Sequence, residues 1–374
     1  MRIAEFALER FFARWEFAVE YLLCASDVQG YPMNELLALA DDETRSLWDG
    51  LALGYAESTG HPRLRREIAA MYAGLDPDDV LVFAGAEEGI FCLVNVLLGP
   101  GDHAIVTWPG YQSLYEIARA AGADVTLHEL REDAAWQLDL DLLRSQVTPA
   151  TKLIVVNAPH NPTGMLPDRA TFDGLVAIAE EAGAYLLMDE VYRFLEFDEA
   201  DRLPTGAEAM VRGVSLGVMS KSFAMAGLRI GWLATRDRDL LAHCMSFKDY
   251  TTICASAPSE ILALIGLRAR DTVLTRSRGI VAANLERLDA FFDAWPDRFS
   301  WVRPRAGSVG FPRLTVPGVG IDDWAAGLVE SEGVLVLPGT QFGYGGNHFR
   351  LGFGRTDLPE ALERLESYAA RTLR

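Results

Sequence analysis

From about residue 79, short apolar runs alternate with stretches of helical periodicity, and this alternation constrains the fold more than any other feature of the sequence. The apolar runs DVLVFAG, HAIVTW, KLIVVNA and AYLLMDE are separated by segments such as EEGIFCLVNVLL and YQSLYEIARAAG. Strands that alternate with helices favour a mostly parallel sheet covered on both faces, so we predict an α/β fold. Ligands of such sheets bind at the carboxyl ends of the strands, and functional residues are expected there.

The later part of the chain predicts a second, smaller unit. The runs VSLGVMS and RIGWLATRD are typical of a strand pair, which we place at the sheet edge, and a helical region follows over residues 257–294. Patterns such as SVGFPRL and HFRLGFG then mix with helices, as in an α+β domain. Because 374 residues are too many for one ordinary core, we predict a large domain at 46–275, a small domain at 276–374 and an N-terminal segment, 1–45, that packs with the small domain.

The net charge of −19 excludes several classes of partner. An acidic surface repels nucleic acid and anionic membranes, so neither is expected to bind. The four cysteines, Cys24, Cys92, Cys244 and Cys254, follow no disulfide or metal-ligand spacing, which favours thiols in a reducing compartment and no metal site. Charges interrupt the N-terminal run MRIAEFALERFFARWEF, unlike a signal peptide, and no apolar run approaches the ~18 residues of a membrane span. We therefore predict a soluble, cytoplasmic protein.

Polar residues stand where several predicted strands end. Asn161 lies in the loop APHNPTG, Asp189 and Tyr192 lie in MDEVYR, and Lys221 lies in MSKSFAMAGLRIGW. Asp189 follows Asn161 by 28 residues, Lys221 follows Asp189 by 32, and Arg229 follows Lys221 by eight. Because the carboxyl ends of parallel strands meet at one edge of a sheet, these side chains are expected to form one site.

In this order and spacing, the motifs resemble those of class I/II aminotransferases. The motifs NPTG, DEVY and SKxFxxxGxRxG stand here as Asn161–Gly164, Asp189–Tyr192 and Ser220–Gly231, and the resemblance runs from about Gly54 to Gly354. It implies the fold of aspartate aminotransferase, with a mostly parallel seven-stranded sheet in the large domain. It also implies pyridoxal 5'-phosphate (PLP) as cofactor and transfer of an amino group between an L-amino acid and a 2-oxo acid.

The resemblance gives three residues a catalytic role. Lys221 is expected to hold PLP as a Schiff base and to move the substrate proton as general base and acid, which a poorly solvated amine can do. Asp189 is expected to keep the pyridine nitrogen protonated, as the cofactor requires of a buried carboxylate. Tyr192 and Asn161 would hydrogen-bond the phenolic oxygen of PLP. Without a cofactor, Asn161 could equally be a turn residue.

The remaining positions would bind the phosphate, the ring and the substrate. Arg229, Ser220 and the backbone N–H groups of Ala86 and Glu87, where GAEEGIF opens a helix, would meet the phosphate. Tyr111 would stack on the ring, with a core tyrosine as the less favoured alternative.

Two further residues concern the substrate and a second subunit. Arg350 would bind the substrate α-carboxylate through a two-pronged ion pair, and Asn161 is also expected to contact the substrate. Tyr55 would reach across a dimer interface to the phosphate of the neighbouring subunit, which implies a homodimer with two shared active sites.

The sequence also departs from the family pattern. Val218, three positions before Lys221, stands where the family often has Ser or Thr, and ASDVQGYPMNELLAL lacks the usual GEPDF-like stretch that lines the substrate pocket. The segments FKDYTT and WVRPRAGSVGFPRL look closest to capreomycidine synthase-like members, which cyclise a hydroxyarginine.

Three hypotheses therefore stand beside each other. An aminotransferase is favoured, because DEVY is the ordinary transaminase form. Another PLP reaction on the same fold, such as elimination with cyclisation, decarboxylation or racemisation, is the alternative, since both would share every cofactor residue. A PLP-binding transcription regulator is disfavoured, because a helix-turn-helix domain has no room before residue 46 and the charge is acidic.

Overall fold

The computed structural model describes residues 2–373, and its largest element is a seven-stranded sheet with the strand order β1-β7-β6-β5-β4-β2-β3. These strands are β1 (Val80–Phe83), β2 (His103–Trp108), β3 (Asp124–Glu129), β4 (Thr151–Asn157), β5 (Tyr185–Asp189), β6 (Gly213–Val218) and β7 (Gly231–Ala234). Strands β2 to β6 are parallel, whereas β7 is antiparallel to both β6 and β1. The predicted α/β fold with a mostly parallel seven-stranded sheet is confirmed.

The predicted strand pair is present, but its predicted position was wrong. Strands β6 and β7 are antiparallel neighbours, yet β5 flanks β6 and β1 flanks β7, so the edges of the sheet are β1 and β3. Every residue of β6 and β7 is buried, as expected for strands covered on both faces. Periodicity identifies a strand, but the lateral order depends on long-range pairing that it does not encode.

Helices cover both faces of this sheet and make up most of the regular structure outside it. They are α1 (Ala7–Trp15), α2 (Met33–Ala38), α3 (Asp42–Asp49), α4 (Pro62–Ala69), α5 (Ala86–Leu97), α6 (Ser113–Ala121), α7 (Leu140–Gln146), α8 (Arg169–Ala182), α9 (Gly206–Ala209), α10 (Arg238–Lys248), α11 (Ala257–Arg268), α12 (Arg270–Ala294), α13 (Ile321–Glu332) and α14 (Leu358–Thr372). Short 3-10 turns lie at Pro77–Asp79, Glu132–Ala134, Glu199–Asp201, Ala226–Leu228 and Gly339–Phe342. Among residues 2–373, none of these helices combines the length and the apolar character that crossing a membrane requires.

Local sequence signals explain where the helices begin and end. Helix α8 begins after Asp168, whose carboxylate accepts the Thr171 N–H at 2.8 Å, and ends at Gly183, which adopts φ = 63°. The predicted helical region at 257–294 is two helices, α11 and α12, that meet at Ala269.

The core lies on the two faces of the sheet because neighbouring strand residues point to opposite sides. One apolar cluster includes Ile105, Ile154 and Leu186, and the opposite cluster includes Val106, Val155 and Leu187. Burial of each such side chain contributes about 1.5–3 kcal/mol.

The C-terminal part carries short strands that hold the N-terminal segment. They are β8 (Phe299–Ser300), β9 (Val309–Gly310), β10 (Arg313–Leu314), β11 (Leu337–Pro338) and β12 (Phe349–Gly352). Tyr21 bridges to Val334, and the Gly352 N–H donates to the Leu23 oxygen at 2.9 Å. Helix α3 instead packs against α11, where Arg268 pairs with Asp41 at 2.9 Å. The predicted domain boundaries remain predictions.

Candidate active site

A cavity of about 330 Å³ opens at the carboxyl ends of β4, β5 and β6, where a parallel sheet is expected to bind its ligand. Residues of α1 and of the segment 22–27 also line it. Ten residues predicted from the sequence lie around this cavity: Ala86, Glu87, Tyr111, Asn161, Asp189, Tyr192, Ser220, Lys221, Arg229 and Arg350. Tyr55, the remaining predicted residue, lies outside it, with 91% of its surface exposed.

Asn157, the last residue of β4, joins two of the predicted residues. Its side-chain nitrogen donates to the backbone oxygen of Asp189 at 2.8 Å, and its side-chain oxygen accepts the Asn161 N–H at 2.6 Å. The NPTG loop is thereby fixed against the sheet, and it can close because Gly164 has no Cβ, which would lie 2.2 Å from Pro304. Our sequence reasoning missed Asn157, although a polar residue that ends the apolar run LIVVN was a visible signal.

Asp189 ends β5 with 4% of its surface exposed. Burial raises the pKa of its carboxyl group to about 7, although the Val191 N–H, 3.3 Å from Oδ1, and the Lys221 amine both lower this pKa. A buried carboxylate is costly unless a cation accompanies it. The position therefore favours a ligand that brings a positive charge to Asp189.

Tyr192 lies in the turn after β5 and is 1% exposed; among residues 2–373 its hydroxyl makes no hydrogen bond of good geometry, although the Ser26 side chain lies near enough to lower its pKa. Buried tyrosine hydroxyls normally have a partner. Burial raises the pKa of this hydroxyl to about 12, so it is a hydrogen-bond donor at neutral pH. Because Tyr192 lines the cavity, an acceptor atom of a ligand would satisfy it.

Lys221 follows β6, and its Nζ donates a hydrogen bond to Ser26 Oγ at 2.8 Å. Burial lowers the pKa of the amine, while Asp27 and Asp189 raise it and Arg350 lowers it further. The net shift of this pKa is downward, toward the neutral amine, which is the form that acts as nucleophile and base.

The amino end of α5 and Arg229 form another wall of the cavity. Ala86 and Glu87 are the first two residues of α5, and N–H groups at this position have no partner within a helix. The Nη1 of Arg229 donates to Ser220 Oγ at 3.4 Å. A Cβ at Gly85 would lie 2.7 Å from the Arg229 guanidinium, so only glycine allows this approach. Free N–H groups beside an arginine attract an anion such as phosphate.

The side chains of Tyr111 and Glu87 complete that wall. Tyr111, in the loop after β2, packs against Phe6 with ring centres 5.2 Å apart. Glu87 accepts a hydrogen bond from Ser113, and burial raises the pKa of its carboxyl group. Burial therefore disfavours the charged form of this carboxyl group, which lies beside the predicted phosphate position.

Arg350 projects from β12 and is 2% exposed. Its Nε and Nη2 donate to the Cys24 oxygen at 3.1 and 2.8 Å, and its Nη1 donates to Asn161 Oδ1 at 3.1 Å. These acceptors are uncharged, and burial lowers the pKa of the guanidinium. A buried guanidinium whose partners are neutral favours an anionic ligand.

Four further polar residues of the cavity were not singled out from the sequence: Glu9, Glu16, Ser26 and Asp27. The amphipathic pattern of α1 was recognised, but an amphipathic helix does not reveal which surface it covers. No spacing signal marked Ser26 or Asp27, because they lie in an irregular segment.

The unsatisfied groups of the cavity match the polar groups of PLP. The hydroxyl of Tyr192 lacks an acceptor, Asp189 lacks a cation, and the start of α5 with Arg229 offers donors to a phosphate. Lys221 supplies an amine that can bind an aldehyde. These residues fit the cofactor, and fold and site together define a PLP-dependent enzyme.

Comparison with known proteins agrees. Residues 22–365 match the family described as aminotransferase class I and II. Capreomycidine synthase from Streptomyces vinaceus is 31% identical over 344 residues, which cover 91% of this chain and 87% of the relative. Arginine–pyruvate transaminase from Pseudomonas aeruginosa is 29% identical over 330 residues, covering 85% and 83%. The crystal structure of a PLP-dependent aminotransferase from Streptococcus suis 89-1591 matches with a TM-score of 0.93 and 32% identity over 99% of both chains.

The chain belongs to the aminotransferase class I and II family. This membership confirms the predicted resemblance, the PLP cofactor and the activity class of a transaminase.

Val218 allows a test of the phosphate wall. It is the last residue of β6, is 5% exposed and lines the cavity. Ser222 cannot replace the missing hydroxyl, because its own hydroxyl donates to the Arg193 oxygen. The Ser220 hydroxyl lies beside Arg229 on the same wall, and if it already fills this place, a second serine gains nothing. We expect Val218→Ser to tighten PLP binding by up to about ten- to a hundredfold, as one charge-assisted hydrogen bond would.

The measurement is the PLP dissociation constant and the melting temperature of the cofactor-free chain, with Val218→Ala as a control that loses the same apolar contacts without gaining a hydroxyl. Unchanged affinity together with a lower melting temperature would instead show that Val218 serves packing alone.

Proposed function

We propose that this chain moves an amino group between an L-amino acid and a 2-oxo acid, with Lys221 as the cofactor anchor and proton carrier. The observation that carries the proposal is the convergence of three ionisable groups on one cavity: the Lys221 amine, whose pKa is lowered, the Asp189 carboxyl, whose pKa is raised, and the Arg350 guanidinium, whose hydrogen-bond acceptors are uncharged. Each corresponds to one group of a cofactor and amino acid pair.

Each residue would act at a defined atom. Arg350 would bind and orient the substrate carboxylate, and Lys221 Nζ would take the proton from the substrate α-carbon and return it. Asp189 would hold a proton on the ring nitrogen, and Tyr192 and Asn161 would donate to the phenolic oxygen. The bound cofactor supplies an electron sink for the negative charge that forms at that carbon.

Arg350→Lys tests the substrate role. A lysine replaces a two-pronged contact by a single-point one, so we expect substrate affinity to fall about ten- to a hundredfold, with cofactor affinity nearly unchanged. Titrations of substrate and of PLP measure the two affinities separately. Amines that lack an α-carboxylate are the control and should show little change; an equal loss of PLP affinity would contradict the assignment.

Two acidic residues, one in α1 and one directly after it, suggest the class of amino donor. Glu9 and Glu16 both line the cavity, and burial, then Asp27 and Glu9, raise the pKa of the Glu16 carboxyl group. Arg355 lowers the pKa of Glu16, but its guanidinium already donates hydrogen bonds to both oxygens of the Asp27 carboxylate, at 2.9 and 3.0 Å. A donor with a basic side chain would neutralise Glu16, and one relative is named for arginine.

A panel of single amino acids tests this function. The holoenzyme is mixed with matched pairs, such as arginine with citrulline and lysine with norleucine, and conversion of the cofactor to its amine form is followed by absorbance. We expect conversion, faster for the basic member of each pair. If no amino acid converts the cofactor, transamination is contradicted, whereas equal rates within pairs contradict only the basic donor.

A second candidate reaction is cyclisation of the substrate. It is favoured by the 31% identity to capreomycidine synthase over 91% of this chain. A cyclase would release a ring-closed amino acid without needing a 2-oxo acid as acceptor. Mass spectrometry of the products, with and without a 2-oxo acid, therefore separates the two reactions.

A homodimer completes the proposal. Tyr55 and Leu53, on the loop before α4, are 91% and 87% exposed. Tyr250 is 90% exposed and lies near this loop, because Lys248, two residues before it, donates a hydrogen bond to the Ser58 oxygen of the loop. Large exposed apolar side chains favour an interface, and sedimentation would measure the assembly.

The cysteines of residues 2–373 are free thiols, which supports the predicted reducing, cytoplasmic location.

A further inference from the structure

The segment Leu23–Asp27, where the family pattern is lost, places a hydroxyl at the reactive lysine. Ser26 Oγ lies 2.8 Å from Lys221 Nζ, and among residues 2–373 it is the acceptor within hydrogen-bond distance of this amine. Neither the predicted phosphate site nor the predicted carboxylate site uses this serine, so its contact with the reactive nitrogen needs another explanation.

Ser26 is held on a rigid support. Its backbone oxygen accepts from Ser308 Oγ at 2.8 Å, and Arg350 donates twice to the oxygen of Cys24. A Cβ at Gly352 would lie 1.8 Å from the Ala25 oxygen, so this strand approaches the segment as closely as glycine alone permits. The position of the Ser26 Oγ is therefore set by the backbone.

The charges around Lys221 come from several elements. Asp27 and Asp189 favour the ammonium, Arg350 and Arg229 disfavour it, and burial, the largest effect, also disfavours it. Glu16, the residue directly after α1, faces the same amine and interacts with it. The aromatic ring of Tyr192 lies 5.9 Å from Nζ. In this balance, a hydrogen-bond acceptor at 2.8 Å stabilises the charged form.

We propose that Ser26 is a positioning residue for the proton transfer by Lys221, an inference that rests on the function proposed above. Its hydroxyl accepts one N–H and so orients the amine, directing the lone pair into the cavity. When the α-carbon C–H bond breaks, its electron pair stays with the substrate and the proton forms a new N–H bond on Nζ. Ser26 then stabilises the ammonium until Nζ gives the proton back.

The test compares Ser26→Ala with Ser26→Thr, which keeps the hydroxyl. In the full-length chain freed of cofactor, acetylation of Lys221 is followed against pH by mass spectrometry, which reports the pKa of the amine without catalysis. Loss of the acceptor should lower this pKa by about one pH unit in Ser26→Ala. In the holoenzyme, the acid limb of the half-reaction with an amino acid should move to lower pH, and the maximal rate should fall about tenfold. Ser26→Thr should restore both.

Ser308→Ala is the matched control, because it removes a hydroxyl that supports the segment without touching Lys221. Because the Arg350 bonds to Cys24 and the close approach of Gly352 still hold the segment in this variant, its labelling curve should match that of the wild type. An unchanged labelling curve in Ser26→Ala, or an equal shift in Ser308→Ala, would overturn the proposal. If the labelling shift appears but no amino acid reacts with the wild-type holoenzyme, the proposed reaction fails while the contact between Ser26 and Lys221 stands.

Discussion

Replacing Lys221 by alanine is expected to abolish turnover, with a loss of about 10⁴-fold or more, because one side chain serves as both anchor and proton carrier. Borohydride reduction of the wild-type holoenzyme should leave the cofactor on one peptide only, and this adduct should disappear in Lys221→Ala. The chain has only three lysines, Lys152, Lys221 and Lys248, so mass spectrometry can assign the adduct without ambiguity.

The other two lysines provide internal controls. Lys152 pairs with Asp102 at 2.8 Å on the surface, and Lys152→Ala should retain activity. Lys248 is fully buried, and burial lowers the pKa of its amine as it does that of Lys221, but this amine donates to the Ser58 oxygen away from the cavity. Burial alone therefore does not create a cofactor anchor. An adduct on Lys248 or Lys152 would contradict the site.

The residues that our sequence reasoning placed together share one physical property. Asp189 ends a strand of the parallel sheet, while Asn161 and Lys221 follow such strands within a few residues. Parallel pairing then sets these ends side by side, as the register of Asn157 with Asp189 demonstrates. A rule about strand ends thus predicts proximity from sequence, because the sheet converts order along the chain into neighbours in space.

The residues that our reasoning missed come from a part of the chain without this regularity. Ser26 reaches Lys221 across 195 positions, and its place depends on the close approach of Gly352 to the segment. Glu16 faces the cavity because α1 packs over it, a docking that amphipathicity alone does not specify. Tyr55 shows a further limit of sequence reasoning, because its predicted contact is with a second copy of the chain and depends on how two copies assemble.

Asp189→Asn is expected to keep PLP bound and to lower turnover by about 10²–10³-fold, the range for loss of one preorganised electrostatic contact. Asparagine preserves the shape of the side chain but cannot hold a proton on the ring nitrogen by charge. Turnover and the PLP dissociation constant, measured on the same preparations, separate the two effects. Near-normal turnover in the variant would refute the role of Asp189.

In the cofactor-free chain, Asp189→Asn should increase the stability of the fold, and the increase should depend on pH because the pKa of the Asp189 carboxyl group is raised. The carboxyl pKa is about 7 in the folded chain, against an ordinary value of 3.8, so the folded state binds more protons between these values. This contribution to stability is complete below about pH 4 and is lost as the pH rises through 7. Asp189→Asn does not titrate, so its melting temperature should exceed that of the wild type by a few degrees more at pH 8 than at pH 5.

Glu190 provides an internal reference for this experiment. Burial raises the pKa of its carboxyl group to about 7 as well, and the residue is present in both the wild type and the variant. Its contribution cancels in the difference between wild type and variant, which leaves the effect of position 189. Adding PLP should remove the advantage of the variant at pH 8, since the protonated ring would supply the cation that the buried carboxylate lacks. A melting-temperature difference that is the same at both pH values, with or without PLP, would show that Asp189 is not the carboxylate that meets the ring.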